Sequence, residues 1–389
     1  METTDPAEAL KAIMNANGWT QRQLGRELGG LSQGWVSSVL LGRRDPGIKR
    51  YAKYLGYVGW EVVIRPKKED RVKRREFHEN LMKVASAAIA GRAAGVFVGP
   101  AGLDNPYGDP DYVLGLARRA ADMREQLGGV PLVPKIQGQC RGVGAVLSQG
   151  GKALNVAASE FSRQAAWVFH DVDRPDLAER FAGRALSLAV KGEDHERQAA
   201  AHATLCNILL TEMSPDRAAF HAAEGLKLPD VSEGYRAPLK AYMARAMSLN
   251  VQVPKRRSQK LIDQALAVKG ISSLDSAWVQ LECGHALRSL GEDQQALHAF
   301  GQSIQLSEPE QEAHALAEAA KTTLATQRLD HAAQLMKALS YVIPLVSSTR
   351  LDQKTKSVLQ ESAQWADSRE IRHARELLVA ATSQPTSTA

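Results

Sequence analysis

The sequence predicts an all-α chain: a small helical head followed by a long α-solenoid, with one short β-strand expected between them. Three observations carry that reading. Aromatic residues make up only 5% of the 389, too few for a β-sandwich, whose strands favour aromatic and β-branched side chains. Apolar residues recur at helical spacing between Gly and Pro stops. Small residues recur at a fixed interval in the C-terminal part, which is the mark of a repeat array. The expected division is a head at 1–59, a basic linker with the strand at 60–82, a repeat body at 83–381 and a disordered tail at 382–389.

The head reads as four short helices. Residues 7–16 place Leu10, Ile13 and Met14 at helical spacing, and Asn17-Gly18 stops them. Thr20 caps the second helix, with Gln23 three residues on to complete a capping box. That helix runs from Gln21 to Leu28 and puts Leu24 and Leu28 on one face. Gly29-Gly30 makes the turn. Ser32 caps the third helix, Gln33 to Leu41, whose Val36, Val39 and Leu40 point inward. Gly42 ends it. A fourth helix, Ile48 to Leu55, ends at Gly56. Two short helices joined by a tight Gly turn form a helix-turn-helix unit.

The residues from Trp19-Thr20-Gln21-Arg22-Gln23-Leu24 through Ser32-Gln33-Gly34-Trp35-Val36-Ser37-Ser38 to Gly42-Arg43-Arg44 resemble the Cro and lambda-repressor type of helix-turn-helix (the XRE family) over about residues 7–57. Two positions depart from that pattern. Gly25 replaces the usual small Ala of the second helix, which weakens it by up to about 1 kcal/mol. Gly29-Gly30 makes the turn looser. The physical reading agrees with the resemblance. A helix about 10–12 Å across fits the major groove of double-stranded DNA, and its N-terminal residues meet base edges. Gln33 can grip adenine through two hydrogen bonds. Ser37 and Ser38 reach a base or a phosphate, and Gly34 lies on the same outward face. Trp35 packs either on a thymine methyl or sugars, or against the first helix. Thr20 and Gln21 begin a helix whose backbone N–H groups point toward phosphate. Ser32, Arg43, Arg44 and Lys49 complete the expected contacts.

Charge fits this division. The formal net charge is +6, and residues 1–80 hold 15 basic and 10 acidic side chains, or +5. Such an excess implies either an anionic partner or a solvated surface. Trp60 to Pro66 reads as a strand that pairs with its twin in a dimer or docks on the fourth helix. From Arg65 to Arg75 there are seven basic and two acidic residues, a run that lies along phosphates or serves as a solvated linker.

The body shows repeats. In the clearest, Trp278 to Pro309, Gly284 and Ala296 are 12 apart and Phe300 follows four later. This copy resembles a tetratricopeptide repeat (TPR), in which small residues let two helices approach closely. Ala166, Phe169, Ala178 and Ala185 form an earlier copy, again with an interval of 12. Weaker copies cover 200–228, 235–269 and 313–343, and helices from 352 to 381 close the array. A helix is also expected at 110–127 before Gly128-Gly129, and another from about Pro134. The whole resembles bacterial regulators, of a build frequent in actinobacteria, that join an XRE-type head to a TPR-like body. The resemblance implies a cytoplasmic, nucleoid-associated homodimer and, in the concave groove, a peptide or protein ligand. Asn155 and Asn207, on the first helices of two successive repeats, can pair with a peptide backbone there, or be solvated, or cap a neighbouring helix.

Catalysis has no constellation to stand on, and no cofactor or metal is expected. Gly30-Leu31-Ser32-Gln33-Gly34 matches GxSxG by chance, with no strand before it. Gly142-Val143-Gly144 lacks the third Gly of a dinucleotide loop, and Gly150-Gly151-Lys152 lacks Walker spacing. No HExxH occurs. The cysteines, Cys140, Cys206 and Cys283, lie too far apart for a CxxC site and read as small hydrophobes in a reducing compartment. No stretch reaches the about 20 apolar residues of a membrane span. Arg74-Arg75 resembles a twin-arginine export motif but lies too far into the chain to act as one. The expected function is sequence-specific DNA binding in transcription regulation, with a dimerising, ligand-sensing body. The alternative is an interaction scaffold whose head does not read DNA.

Overall fold

The computed structural model describes residues 6–28, 31–40 and 105–383. Seventeen α-helices and no strand occur among them. The chain divides into two compact units, one within residues 1–70 and one within 71–388. The expected fourth helix, the strand at 60–66 and the linker lie outside the described residues.

In the first unit, α1 spans Pro6–Asn17, α2 Gln21–Glu27 and α3 Gln33–Leu40. Their apolar faces meet. Leu10, Ile13, Leu24, Leu28, Val36 and Val39 are buried together, with Met14, Trp19, Leu31 and Leu40 packed partly against them. Gly18 ends α1 with a left-handed φ of +65°, a conformation that costs glycine little. Gly25 has a second role beyond lowering helix propensity. It is buried, its carbonyl accepts the Leu31 N–H at 2.7 Å, and a Cβ there would run into the Leu31 carbonyl. The chain returning from the turn uses the space that a side chain would fill.

The second unit is an all-α helical-repeat solenoid. It opens with α4 (Pro110–Leu127) and α5 (Val133–Val146). Five helix pairs follow: α6–α7 (Lys152–Asp171, Pro175–Gly192), α8–α9 (His195–Thr211, Pro215–Lys227), α10–α11 (Glu233–Ser248, Lys255–Leu266), α12–α13 (Ser273–Leu290, Asp293–Leu306) and α14–α15 (Pro309–Ala325, Leu329–Val342). The last pair is α16 (Thr349–Glu361) and α17 (Arg369–Ser383). These pairs coincide with the repeats read from the sequence. The last helix runs two residues beyond the expected end.

The small-residue pattern works as its chemistry requires. Gly284 faces Phe300, and a Cβ on it would lie 2.6 Å from a ring carbon, closer than packed carbons allow. Ala166, Ala178, Ala185 and Ala296 are fully buried between paired helices. Most pairs turn through one residue at positive φ, as at Asp173, Met213, Gly291 and Gln327. Cys206 and Cys283 are buried free thiols, and Cys140 is half-buried. Among the described residues, no helix is long and apolar enough to cross a membrane.

The solenoid also closes on itself. The Leu127 carbonyl accepts the Ser347 N–H at 2.7 Å, and the Val130 N–H donates to the Ser347 carbonyl at 3.1 Å. These bonds tie the end of α4 to the segment entering α16. The Trp167 and Trp278 rings meet at 5.4 Å, joining α6 to α12.

Candidate nucleic-acid interface and the polar interior of the body

The α2–α3 pair is built by caps. The Thr20 hydroxyl accepts the Gln23 N–H at 3.3 Å, and the Gln23 side chain accepts the Thr20 N–H at 2.8 Å. This is the expected capping box, which satisfies N–H groups that the first turn leaves open. The Val36 N–H donates to the Ser32 carbonyl at 3.2 Å, so Ser32 stands at the start of α3. Gln33 and Gly34 are exposed there, as is Thr20 at the start of α2, while Gln21 is half-buried. Ser37 and Ser38 are half-buried rather than outward. The Ser38 hydroxyl donates back to the Gly34 carbonyl at 2.7 Å. Trp35 lies on α3, but its side chain falls outside the description, as do Arg43, Arg44 and Lys49 altogether.

The body holds a polar interior that the sequence reading did not find. Arg124 on α4 pairs with Glu310 on α14 at 2.8 Å and lies 3.7 Å from Asp171 on α6, and all three side chains are buried. Its guanidinium also sits 5.4 Å from the centre of the Trp167 ring, a favourable cation–π placement. Burial opposes ionisation of Glu310, but Arg124 and a hydrogen bond with His314 hold it down at about 2. Burial, and then the Glu310 charge, push Asp171 well above the usual carboxylate range. Neither Asp171 carboxyl oxygen has a hydrogen-bond partner.

Further pairs continue the seam. Arg245 on α10 meets Glu282 on α12 at 2.8 Å. Glu318 on α14 is shared by Arg288 at 2.8 Å and Lys354 at 2.9 Å. Asn207 lies inside this network, with its amide oxygen 3.0 Å from His170 and its NH2 donating to Tyr242 and Glu282 at 3.4 Å each. Its side chain is therefore committed within the chain. Asn155 is half-buried near the start of α6. The sequence did carry one indication of the seam. The first helices of the pairs place Glu, His and Asn among apolar residues on faces that a two-layer array would leave apolar or open.

No group of three His, Cys or acidic residues among the described residues is arranged to hold a metal ion. A scan against protein-family models finds no match for this chain, and a search of the curated proteins finds none either.

Proposed function

We propose that the protein is a sequence-specific DNA-binding transcriptional regulator, with a helical-repeat body that dimerises and senses a ligand. The observation that carries this reading is the capped α2–α3 pair, with Gln33 and Gly34 exposed at the start of a second helix that lies on a small apolar core. The XRE-type resemblance of the same residues supports it. So does the basic excess of residues 1–80, since phosphate neutralisation supplies most of the sequence-independent affinity. A single head of this size buries too little to bind tightly, and a dimer that reads two half-sites about 34–36 Å apart solves that problem. The body is larger than dimerisation requires, and stacked helix pairs commonly form binding surfaces.

The test is selection of bound DNA by the full-length protein, repeated after removal of residues 1–60. A recurring palindromic sequence that is lost with the head supports the reading. Equal DNA retention without the head overturns it by placing DNA binding elsewhere, and no retention by either form overturns it in favour of an interaction scaffold. Sedimentation of the full chain as a monomer that still binds the selected site at nanomolar affinity overturns the dimer.

A further inference from the structure

We propose that the interior of the body binds an anionic group, a carboxylate or a phosphate, through Arg350, Lys354 and Arg245. The proposal rests on the body having a ligand and is independent of what the head binds.

The seam is layered. Glu282 and Glu318 are only 2% and 5% exposed, whereas the cations that cover them, Arg245, Lys354 and Arg288, are 16%, 23% and 32% exposed. The carboxylates thus lie deeper than the cations that pair with them.

Arg350 is the unusual member. It is half-buried, and among the described residues no carboxylate comes within ion-pair reach of it. Burial lowers its pKa, Asp171 and Glu310 attract it from beyond ion-pair reach, and Arg245 opposes it. Lys354 follows Arg350 by four residues on α16, the helical spacing at which like charges repel. Burial lowers the Lys354 ammonium, and Arg350 and Arg245 press it further down against the pull of Glu318. Arg350 and Lys354 thus share one face of α16, and both are opposed by the charge of Arg245 on α10. Among the described residues, Arg350 alone of the three has no carboxylate within ion-pair reach.

A ligand anion would relieve that repulsion and satisfy Arg350. A guanidinium presents a planar fork of N–H donors that matches carboxylate or phosphate through two parallel bonds. The ammonium of Lys354 adds point charge. Titratable groups perturbed by burial together with a neighbouring like charge are a mark of functional sites.

Calorimetry on the full-length protein tests this with two probes, citrate and inorganic pyrophosphate, against sodium chloride of matched ionic strength. Saturable binding of at least one probe is expected. Citrate alone would assign a carboxylate ligand, and pyrophosphate alone a phosphate. Arg350→Gln should weaken binding at least tenfold, and Lys354→Gln should weaken it too. Without ligand, the melting temperature of Arg350→Gln should equal or exceed that of the wild type, since no ion pair is lost. No saturable binding of either probe overturns the proposal, as does unchanged binding by Arg350→Gln or a lower melting temperature that shows Arg350 to be structural. If Lys354→Gln fails to fold because Glu318 loses a partner, Arg350→Gln decides alone. Removal of residues 1–60 should leave probe binding intact, which separates failure of this site from failure of the DNA reading.

Discussion

Arg124 and Glu310, 186 positions apart in sequence, meet at 2.8 Å with both side chains buried. Asp171 stands 3.7 Å from the same guanidinium nitrogen. One cation therefore stands beside two carboxyl groups inside the solenoid, and the three come from α4, α6 and α14. Neutralising a cation in this arrangement differs from removing one anion. Without Arg124, the buried Glu310 carboxylate keeps only its hydrogen bond with His314, and the Asp171 carboxyl loses the cation beside it. Without Glu310, one of the two causes that keep Asp171 protonated is gone, so Asp171 can ionise beside Arg124 and take the place of the lost partner.

The first prediction follows from that asymmetry. Removing one partner of a buried pair costs about 3–5 kcal/mol. Arg124→Ala should fall at the upper end of that range and Glu310→Ala at the lower end, as read from urea unfolding. The double variant should cost less than the sum by about 0.5–3 kcal/mol, the usual coupling between contacting residues. A larger loss for Glu310→Ala than for Arg124→Ala would show that Asp171 does not share the cation.

Glycines supply a second prediction. Gly284 approaches Phe300 too closely for a Cβ, and Gly25 approaches the Leu31 carbonyl. Gly284→Ala should destabilise by about 1–3 kcal/mol through overpacking. Gly25→Ala should also lower stability, although helix propensity alone favours Ala by about 1 kcal/mol. Gly183, within α7, has nothing near its Cβ position, so Gly183→Ala should stabilise by about 0.5–1 kcal/mol. Thermal unfolding of the three variants checks the signs. A stabilising Gly25→Ala would mean that the turn relaxes around the new methyl.

The same residues show what the sequence discloses. The Gly284–Ala296–Phe300 spacing revealed a helix pair because close approach needs small residues at set positions on both partners. Thr20 with Gln23 revealed a helix start because a capping box is made within four residues. Both are local. The Arg124–Asp171–Glu310 contact is not, since its partners meet only when the superhelix closes, and no spacing in the sequence encodes that closure. Asn207 shows the limit from the other side. Its place on a first helix was legible, but its engagement with His170, Tyr242 and Glu282 depends on helices on both sides of it in the chain. Ser38 was legible as part of α3, whereas its bond to the Gly34 carbonyl competes with any outward contact.

A third prediction concerns the head. If α3 reads bases, Gln33→Ala should cost about 1–3 kcal/mol on the selected site and little on random DNA. Arg43→Ala or Arg44→Ala should weaken both and reduce the salt slope by about 1, because a phosphate contact releases counterions whatever the sequence. Fluorescence anisotropy over a salt series measures all of these. Equal losses for Gln33→Ala on the two DNAs would show that it does not read sequence.

The fourth prediction is the pH dependence of the body, where two kinds of buried group act in opposite directions. Burial holds the His314 imidazole down at about 4, against the pull of Glu310, and keeps His170 and His285 well below their usual value. In the unfolded chain these histidines titrate near about 6.5. As pH falls from there toward about 4, only the unfolded state takes up their protons, so stability that is fully present above about 6.5 is lost. Asp171 works the other way. Burial and Glu310 raise it to about 8, while the unfolded carboxyl ionises near about 3.9. Between those values the folded chain holds a proton that the unfolded chain lacks, so stability falls as pH rises, by at most about 1.4 kcal/mol per unit. Above about pH 6.5 the histidines contribute little slope and Asp171 supplies most of it, while Cys140, Cys206 and Cys283, whose thiols burial raises, add to it only as the unfolded thiols begin to ionise toward about 8.5. The melting temperature should therefore decline from pH 6.5 to pH 8 in the wild type, and Asp171→Asn, neutral at every pH, should remove most of that decline. Below pH 6.5 the same variant should lose stability more steeply than the wild type, because the opposing contribution is gone. Calorimetric scans across pH 4 to 9 measure both limbs. A flat wild-type curve from pH 6.5 to pH 8 would show that Asp171 is already ionised in the folded chain, with Arg124 rather than the surrounding apolar packing setting its charge.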